Sequence, residues 1–223
     1  MDLDEARSRL GHVRWLGGGP GAGKSTVAQR LADRHRLRLY DSDTASMAHR
    51  GRTNPVEQPL LHAFLAMDMD ERWLDRSPRV MLETFHGFQG EGFELIVEEL
   101  LAMPSSEAVL AEGFRLLPRL VGPLLQRRDH AIWLLPTARM RAAANEARGT
   151  TWAIAGRTSN PPQALTNLVA RDELFVAELG AQARASGLAT IDVDVDLSIE
   201  ALTERVEAAL GLDRAPIEPA PGA

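Results

Sequence analysis

A glycine-rich stretch near the start of the chain, residues 17–26, has the composition and spacing of a phosphate-binding loop (P-loop). From Gly18 it reads Gly-x-x-x-x-Gly-Lys-Ser and ends on Gly23, Lys24 and Ser25. Glycines let the backbone turn tightly and direct several N–H groups at a polyphosphate, and the following helix adds the positive end of its dipole. Lys24 is expected to reach the β- and γ-phosphates of ATP, and Ser25 to offer its hydroxyl to Mg²⁺. The predicted nucleotide-binding residues are Gly18, Gly19, Gly21, Ala22, Gly23, Lys24, Ser25 and Thr26.

The neighbours of this stretch decide between a P-loop and a glycine-rich turn that carries a lysine by chance. Residues 12–16 (His-Val-Arg-Trp-Leu) predict a short strand that runs into Gly17. Apolar residues such as Val27 and Leu31 then recur at helical spacing, so residues 24–35 predict a helix. A strand before the loop and a helix after it form the context that the motif requires.

Acidic residues follow two further predicted strands. Asp41 and Asp43 come directly after the second strand, and Glu112 follows the third. Ligands of open α/β sheets bind at the carboxyl ends of the strands, so these carboxylates are expected beside the phosphates. We predict that one of them orders Mg²⁺ and that another accepts a proton from a substrate hydroxyl. The alternative is that a serine or aspartate of Asp41-Ser42-Asp43 caps a helix over residues 44–49. Both roles could hold, since a cap uses only one of the three side chains.

Arginines supply candidate contacts to a substrate. Arg115 follows the third strand, although a surface salt bridge explains a lone arginine equally well. Asp172 falls on the apolar stripe of a long helix, where an unpaired carboxylate would be costly to bury. We therefore expect Asp172 to pair with an arginine or to face the site, which makes the adjoining Arg171 a candidate. The predicted substrate-binding residues are Asp43, Arg79, Arg115 and Arg171.

The segment between the second and third predicted strands, residues 51–105, carries no motif and is long enough to form an acceptor pocket. Ser77 and Pro78 predict a helix start, with serine as the N-cap and proline in the first position. The apolar face that follows continues to Pro104. Three glycines, each costing about 1 kcal/mol relative to alanine in a helix, interrupt it: Gly87, Gly90 and Gly92. They indicate a kink, a break or a close approach by a ligand or another backbone.

Composition narrows the classes of function. The chain has 223 residues and a net charge of -6, which argues against a general nucleic-acid-binding protein. It has no cysteine, which excludes disulfides, thiolate catalysis and cysteine-ligated zinc. The N-terminus lacks the features of a signal peptide, and no apolar run approaches the length of a membrane span. We expect a cytoplasmic protein without a membrane partner; the sequence does not predict its oligomeric state.

Five predicted strands alternate with helices, which indicates an α/β fold in which helices cover both faces of a parallel sheet. The predicted strands are residues 12–16, 37–40, 108–111, 131–135 and 189–193.

Two motifs, residues 18–26 and Tyr40-Asp41-Ser42-Asp43, make the chain similar to the P-loop kinases of small molecules, the group of adenylate and shikimate kinases. The resemblance implies a three-layer P-loop NTPase fold with a five-stranded parallel sheet and a helical lid. It also implies that Asp41 helps to hold Mg²⁺ and that Asp43 binds substrate hydroxyls. The likeness is specific over about the first fifth of the chain. Glu112-Gly113-Phe114 stands where shikimate kinases have Gly-Gly-Gly, and their lid sequence Arg-Pro-Leu-Leu is absent, so we expect a different acceptor.

Kinases of this group neutralise the transferred phosphoryl with arginines of a mobile lid. By that resemblance, residues 148–160 are the lid, and the arginines that could neutralise the phosphoryl are Arg148, Arg157 and Arg171. Arg148 and Arg157 join Lys24 and Asp43 as catalytic candidates. Ser25, Asp41 and Glu112 are the candidate Mg²⁺ ligands. The expected organisation is a kinase domain over residues 1–211, with a helical insertion over 51–105, the lid over 148–160 and a disordered tail over 212–223.

The sequence thus favours an ATP- and Mg²⁺-dependent kinase that phosphorylates a hydroxyl of a small metabolite or of a natural product such as an antibiotic. One alternative is a nucleoside or nucleoside-monophosphate kinase, whose phosphate-bearing acceptor would need a basic site. The candidates for such a site are Arg50, Arg52, Arg72 and Arg79. An alternative of another class is a regulatory module that binds and slowly hydrolyses a nucleoside triphosphate.

Overall fold

The computed structural model describes residues 2–213, without the side chains of Arg148, Thr150 and Trp152. The part of the predicted tail from position 214 onward lies outside the described residues. Leu212, the first residue assigned to that tail, is buried against the core.

Five parallel strands form one sheet at the centre of the fold, which confirms the predicted α/β class. Their order across the sheet is β2-β3-β1-β4-β5. The strands are β1 (Val13–Gly18), β2 (Arg38–Asp41), β3 (Val109–Glu112), β4 (Ala131–Pro136) and β5 (Ala189–Val193). The central strand β1 is buried along its whole length, as expected for a strand covered on both faces. The pairing of β2 with β3 sets Asp41 opposite Glu112, so two of the three predicted carboxylates lie at the same edge of the sheet.

Helices fill the connections between the strands. They are α1 (Leu3–Arg9), α2 (Lys24–His35), α3 (Ser42–His49), α4 (Pro59–Ala66), α5 (Met69–Trp73), α6 (Pro78–Thr84), α7 (His86–Gln89), α8 (Phe93–Leu101), α9 (Pro118–Val121), α10 (Ala138–Arg148), α11 (Thr150–Ala155), α12 (Pro161–Ala185) and α13 (Ile199–Ala209). No helix in the described part of the chain is both long and apolar enough to cross a membrane.

Two hydrophobic clusters cover the opposite faces of the sheet. Trp15 and Trp133 point to one face, where they pack with Phe175 of α12 and with residues of α8. Leu16 points to the other face and packs against α2 and α13, for example against Leu31 and Val206. Successive residues of a strand face opposite sides, which explains why Trp15 and Leu16 enter different clusters.

The segment between β2 and β3 forms separate short helices rather than one interrupted helix. Ser77 caps α6 as predicted, with its hydroxyl accepting a hydrogen bond from the N–H of Val80. The apolar face breaks at Phe85 and again between Gly90 and Gly92, where both glycines have positive φ angles of 85° and 81°. Of the alternatives that the glycines left open, a break is therefore the outcome at these two positions.

The predicted lid segment, residues 148–160, is mostly helical. It contains the end of α10 and the whole of α11. Ile154 and Ala155 of α11 belong to a third hydrophobic cluster, together with Trp73 and Met81 of the segment between β2 and β3. Nothing in the structure tests the predicted mobility of the segment, which stays a prediction.

Candidate active site

The P-loop runs from the end of β1 to the start of α2, as its motif requires. Gly21 and Gly23 have positive φ angles of 78° and 79°, a region that side chains with a Cβ rarely adopt. Lys24 is the first residue of α2 and is 8% exposed, and its Nζ donates a hydrogen bond to the carbonyl of Gly19, 2.9 Å away. The loop therefore has the turn, the lysine and the helix N-terminus of a polyphosphate site.

Glu112 lies at the end of β3 beside the P-loop. Its carboxylate is hydrogen-bonded to the hydroxyl of Ser25, and burial raises its pKa above the usual range, opposed by that bond and by the charge of Lys24. Its Oε2 is buried and has no hydrogen-bond partner. A buried carboxylate oxygen without a partner, next to a hydroxyl of the P-loop, fits a divalent cation.

The described residues contain no cluster of three or more histidine, cysteine or acidic side chains that could enclose a metal ion. The predicted Mg²⁺ does not require one, because Mg²⁺ is commonly held by one or two protein ligands together with phosphates and water. Ser25 and Glu112 therefore remain predicted Mg²⁺ ligands.

Asp41 is the N-cap of α3, as the capping alternative predicted. One of its carboxylate oxygens accepts hydrogen bonds from the backbone N–H groups of Asp43 and Thr44, at 2.9 and 3.1 Å. The other accepts the hydroxyl of Thr44. The cap explains why α3 begins at Ser42, two residues earlier than predicted. The predicted Mg²⁺ role of Asp41 remains a prediction, but its oxygens already have other partners.

Asp43 lies in the first turn of α3 and is held only loosely. Its Oδ2 accepts a hydrogen bond from the N–H of Phe114 at 3.4 Å, and its Oδ1 lies 3.5 Å from the hydroxyl of Ser42. Burial raises the pKa of Asp43, whereas the charge of Lys24 and the bond from Phe114 oppose the rise. A half-buried carboxylate with a raised pKa near the P-loop lysine is suited to accept a proton.

Arg115 lies next to this carboxylate, as its position after β3 predicts. It is 6% exposed, its Nη2 donates to the carbonyl of Glu91 at 2.6 Å, and its Nη1 lies 3.4 Å from Nδ1 of His86. Burial lowers the pKa of the guanidinium, and the charge of Asp43 is the largest opposing effect. Arg115 is thus brought together with Asp43 inside the fold rather than on the surface.

A small cavity adjoins Arg115 and is called the acceptor cavity below. Its volume is about 40 Å³. Its polar lining includes Ser46, His49, Arg50, His86, Glu91 and Arg115. Sequence reasoning missed His86 and Glu91, because neither belongs to a motif and both reach the cavity only through the packing of α7 and the turn after it.

Two predicted substrate contacts lie elsewhere. Arg79 is exposed on α6 and pairs with Glu83 one turn along the same helix, at 2.6 Å. Arg171 is buried, pairs with Asp172 at 2.6 Å and lies over the rings of three aromatic residues: Trp73, Phe85 and Phe88. The expectation that Asp172 would pair with an arginine is confirmed. The same pair occupies the guanidinium of Arg171, so its predicted contact with substrate is not supported by its position.

The arginines of the predicted lid are only partly described. Arg157 is exposed in the turn after α11, and the side chain of Arg148 lies outside the described residues. A third arginine, Arg141 on α10, lies close to the P-loop: a Cβ added at Gly21 would lie 3.8 Å from its Cα. Its guanidinium donates to the carbonyl of Pro136 at 2.8 Å. The sequence shows it as an arginine in the helix that follows the fourth strand, a signal that the prediction did not use.

Comparisons with known proteins found likenesses only among solved structures. No protein-family model matches the chain, and neither does any curated protein. An uncharacterized protein from Eubacterium ventriosum is similar with a TM-score of 0.41 and 14% identity, over 88% of this chain and 98% of that one. Deoxyadenosine kinase from M. mycoides with bound dATP is similar with a TM-score of 0.49 and 11% identity, over 89% and 99%. Both TM-scores are below 0.5, so neither likeness bears on the function of this chain.

Proposed function

We propose that this protein is a phosphotransferase that uses ATP and Mg²⁺ to phosphorylate a hydroxyl of a small molecule. The observation that carries the proposal is Asp43, a half-buried carboxylate whose pKa is raised by desolvation and lowered in part by the charges of Lys24 and Arg115. Lys24 belongs to the P-loop and Arg115 lines the acceptor cavity, so the charges that act on Asp43 come from both parts of the proposed site.

Each group has a separate role in the proposed reaction. The P-loop and Lys24 hold the β- and γ-phosphates, and Ser25 and Glu112 are the side chains that would hold Mg²⁺. When bound, Mg²⁺ supplies neutralising charge to the phosphates. Asp43 accepts the proton of the acceptor hydroxyl as that oxygen forms its bond to phosphorus.

The remaining proposed roles belong to two arginines of the lid and to Asp41. Arg148 and Arg157 remain proposed lid residues that compensate charge on the transferred group. Asp41 positions Asp43 through the cap of α3, whether or not it also contributes to the Mg²⁺ site.

A nucleoside monophosphate is less well supported as the acceptor, because most of the arginines proposed for its phosphate have other partners. Arg52 pairs with Glu98 at 2.6 Å, and Arg72 donates to the carbonyl groups of Phe64 and Leu65. Arg79 is on the surface of α6. Of these four arginines, Arg50 is the one that lines the acceptor cavity. A nucleoside acceptor stays within the proposal, since it offers a hydroxyl without requiring a basic cluster.

Transfer of label from γ-labelled ATP tests the proposal, with polyols, hydroxy acids, nucleosides and aminocyclitol or phenolic antibiotics as acceptors. Asp43→Asn should keep Mg²⁺-dependent ATP binding and lose about 10²–10⁴-fold in transfer, the usual contribution of a general base. Asp192→Asn is the matched control, because Asp192 is exposed on β5.

Two results would count against the proposal. Hydrolysis without transfer to any acceptor class would favour the regulatory module. Transfer by Asp43→Asn at the rate of the unchanged protein would remove the role of Asp43.

A further inference from the structure

The helix that carries Asp43 has few apolar contacts. Two of the eight residues of α3 are buried, Ser42 and His49, and both are polar. Ala45 packs against the hydrophobic cluster that contains Trp15. Its single methyl group buries far less apolar surface than a leucine or phenylalanine would, and stabilises the helix correspondingly less. The position of α3, and of Asp43 in its first turn, therefore depends largely on polar contacts.

One carboxylate, that of Glu99 on α8, contacts both the strand before α3 and the last residue of α3. Tyr40 comes directly before Asp41, the N-cap of α3. The hydroxyl of Tyr40 donates a hydrogen bond to Oε2 of Glu99 at 2.6 Å. Oε1 of Glu99 lies 2.9 Å from Nε2 of His49, with which α3 ends. The carboxylate thus connects β2 and α3 to α8.

The chemistry of these three groups suits a lasting contact. Burial raises the pKa of Glu99, but the contacts with Tyr40 and His49 outweigh this effect and lower the pKa below its usual value. Burial and the neighbouring carboxylate raise the pKa of Tyr40, so its phenol keeps the proton that it donates. Tyr40 and His49 are both buried. Loss of the carboxylate would leave the buried Tyr40 hydroxyl without its acceptor, which is unfavourable.

We infer that Glu99 is a positioning residue for phosphoryl transfer, because it holds α3 and thereby Asp43 in place. It does so through Tyr40 and His49. The inference rests on the proposed phosphotransferase function, in which Asp43 accepts the proton of the acceptor hydroxyl. The same helix carries two residues that line the acceptor cavity, Ser46 and His49. Glu99 therefore sets the position of the proton acceptor together with that of one wall of the cavity.

The pKa of Asp43 reports on the position of α3 without any substrate. Desolvation is the largest cause of its raised pKa, so a loosened α3 that admits water should lower it. NMR follows the side-chain carboxyl carbons as the pH is varied, and the signal that is missing in Asp43→Asn identifies the residue. Glu99→Ala should lower the pKa of Asp43 toward that of an exposed aspartate.

Glu98→Ala and Glu99→Gln are the matched controls. Glu98 lies on the same helix and pairs with Arg52 at 2.6 Å, so its substitution removes a nearby charge but no contact of α3. It should leave the pKa of Asp43 unchanged. Glu99→Gln removes the charge of Glu99 itself, but its amide oxygen can still accept the hydroxyl of Tyr40. This variant should recover most of the change that Glu99→Ala causes.

Transfer from labelled ATP measures the effect on the reaction, with an acceptor that the unchanged protein phosphorylates. Glu99→Ala should lower kcat by about 10–100-fold, because a shift of about 1 Å in a reacting group can cost about 100-fold. The acid limb of the kcat profile should move to lower pH with the pKa of Asp43. In the described part of the chain, the polar partners of Glu99 lie outside the P-loop. The KM for ATP should therefore stay within about twofold.

The inference is overturned if folded Glu99→Ala leaves the pKa of Asp43 unchanged, or if Glu99→Gln lowers it as much, which would show a charge effect. A merely structural role would lower the melting temperature but leave kcat per folded molecule and its pH profile unchanged. If Glu99→Ala does not fold, Tyr40→Phe removes one of the two contacts and should lower the pKa of Asp43 in the same direction; an unchanged pKa there also overturns the inference. If no acceptor is phosphorylated, the phosphotransferase proposal fails, whereas the NMR result still decides whether Glu99 positions Asp43.

Discussion

Substitution of Gly113 by alanine should both destabilise the fold and displace Asp43. Gly113 has a φ of 143° and lies directly against α3. An added Cβ would overlap the hydroxyl of Ser42 and come within 2.7 Å of Oδ1 of Asp43. Ser42 is fully buried and cannot move into solvent, so the clash must be relieved by displacing Asp43 or the backbone of β3. The backbone strain alone costs about 1–3 kcal/mol.

The same displacement should strongly reduce phosphoryl transfer. A shift of about 1 Å in a reacting group can cost about 100-fold in rate. We therefore expect Gly113→Ala to lose about 2–3 kcal/mol of unfolding free energy and about 100-fold in transfer, while ATP binding is retained. Denaturant unfolding gives the first quantity and labelled ATP the second.

Gly211→Ala provides the control for backbone strain. Gly211 also has a positive φ, 64°, but the nearest atom to an added Cβ is 3.9 Å away. Its substitution should cost about 1 kcal/mol and leave transfer unchanged. If Gly113→Ala loses stability to the same extent as Gly211→Ala and keeps full transfer, then Gly113 does not position Asp43, and the reasoning from the added Cβ is refuted.

Three further substitutions or conditions address the metal site, the lid and pH. Glu112→Gln should raise the Mg²⁺ concentration that gives half-maximal transfer by about 10–100-fold, which a Mg²⁺ titration measures. Thermal stability should not fall, because burial already disfavours the charged form of Glu112, and thermal melts check this. Asp70→Ala removes the acceptor for the N–H of Ser159, a 2.7 Å bond, so hydrogen exchange over residues 156–160 should accelerate, whereas the exposed Asp75→Ala should change nothing there. Since the pKa of His86 is lowered to about 3 in the folded protein, the unfolded chain binds more protons between about pH 6.5 and 3, and stability should fall as pH decreases through that window. His86→Gln should flatten that slope in pH-dependent unfolding, and an unchanged slope would contradict the neutral state of the ring.

The parts of the site that the sequence predicted are those that depend on local structure. The P-loop needs only a strand, a run of glycines and a helix, all within a short stretch, and α2 begins and ends at the predicted residues 24 and 35. Glu112 was placed correctly at the end of β3, because parallel strands bring their carboxyl ends to the same edge of a sheet. The capping role of Asp41 was also among the local alternatives.

The acceptor cavity could not be predicted, because its lining comes from segments that meet only in the folded chain. Arg50 follows α3, His86 begins α7, and Arg115 follows β3. Their proximity depends on how the short helices between β2 and β3 pack against α12. The spacing of apolar residues in the sequence predicts helices but not how those helices pack together. For the same reason, the sequence suggested Arg79 and Arg171 as substrate contacts although neither side chain lies at the cavity.

The glycines between α7 and α8 show how the break in the apolar face contributes to the site. A continuous helix would use the carbonyl of Glu91 in its own hydrogen bonds. The positive φ angles of Gly90 and Gly92 release that carbonyl, and it accepts Arg115. The same turn directs the carboxylate of Glu91 to the N-terminus of α4. The cost of each glycine in helix stability is therefore offset by the contacts that form one wall of the cavity.

The predicted lid packs against residues 51–105, which are called the acceptor segment here. Ile154 and Ala155 of α11 share a hydrophobic cluster with Trp73 and Met81, and Asp70 holds the turn after α11 through Ser159. A movement of Arg157 toward the P-loop must either carry the acceptor segment with it or separate these apolar contacts, at about 25 cal/mol for each Å² of apolar surface exposed. Because a ligand shifts an equilibrium only by its different affinities for the two states, an acceptor bound to this segment is expected to change the free energy of lid closure. The helices between β2 and β3 would thereby link recognition of the acceptor to the position of the lid arginines.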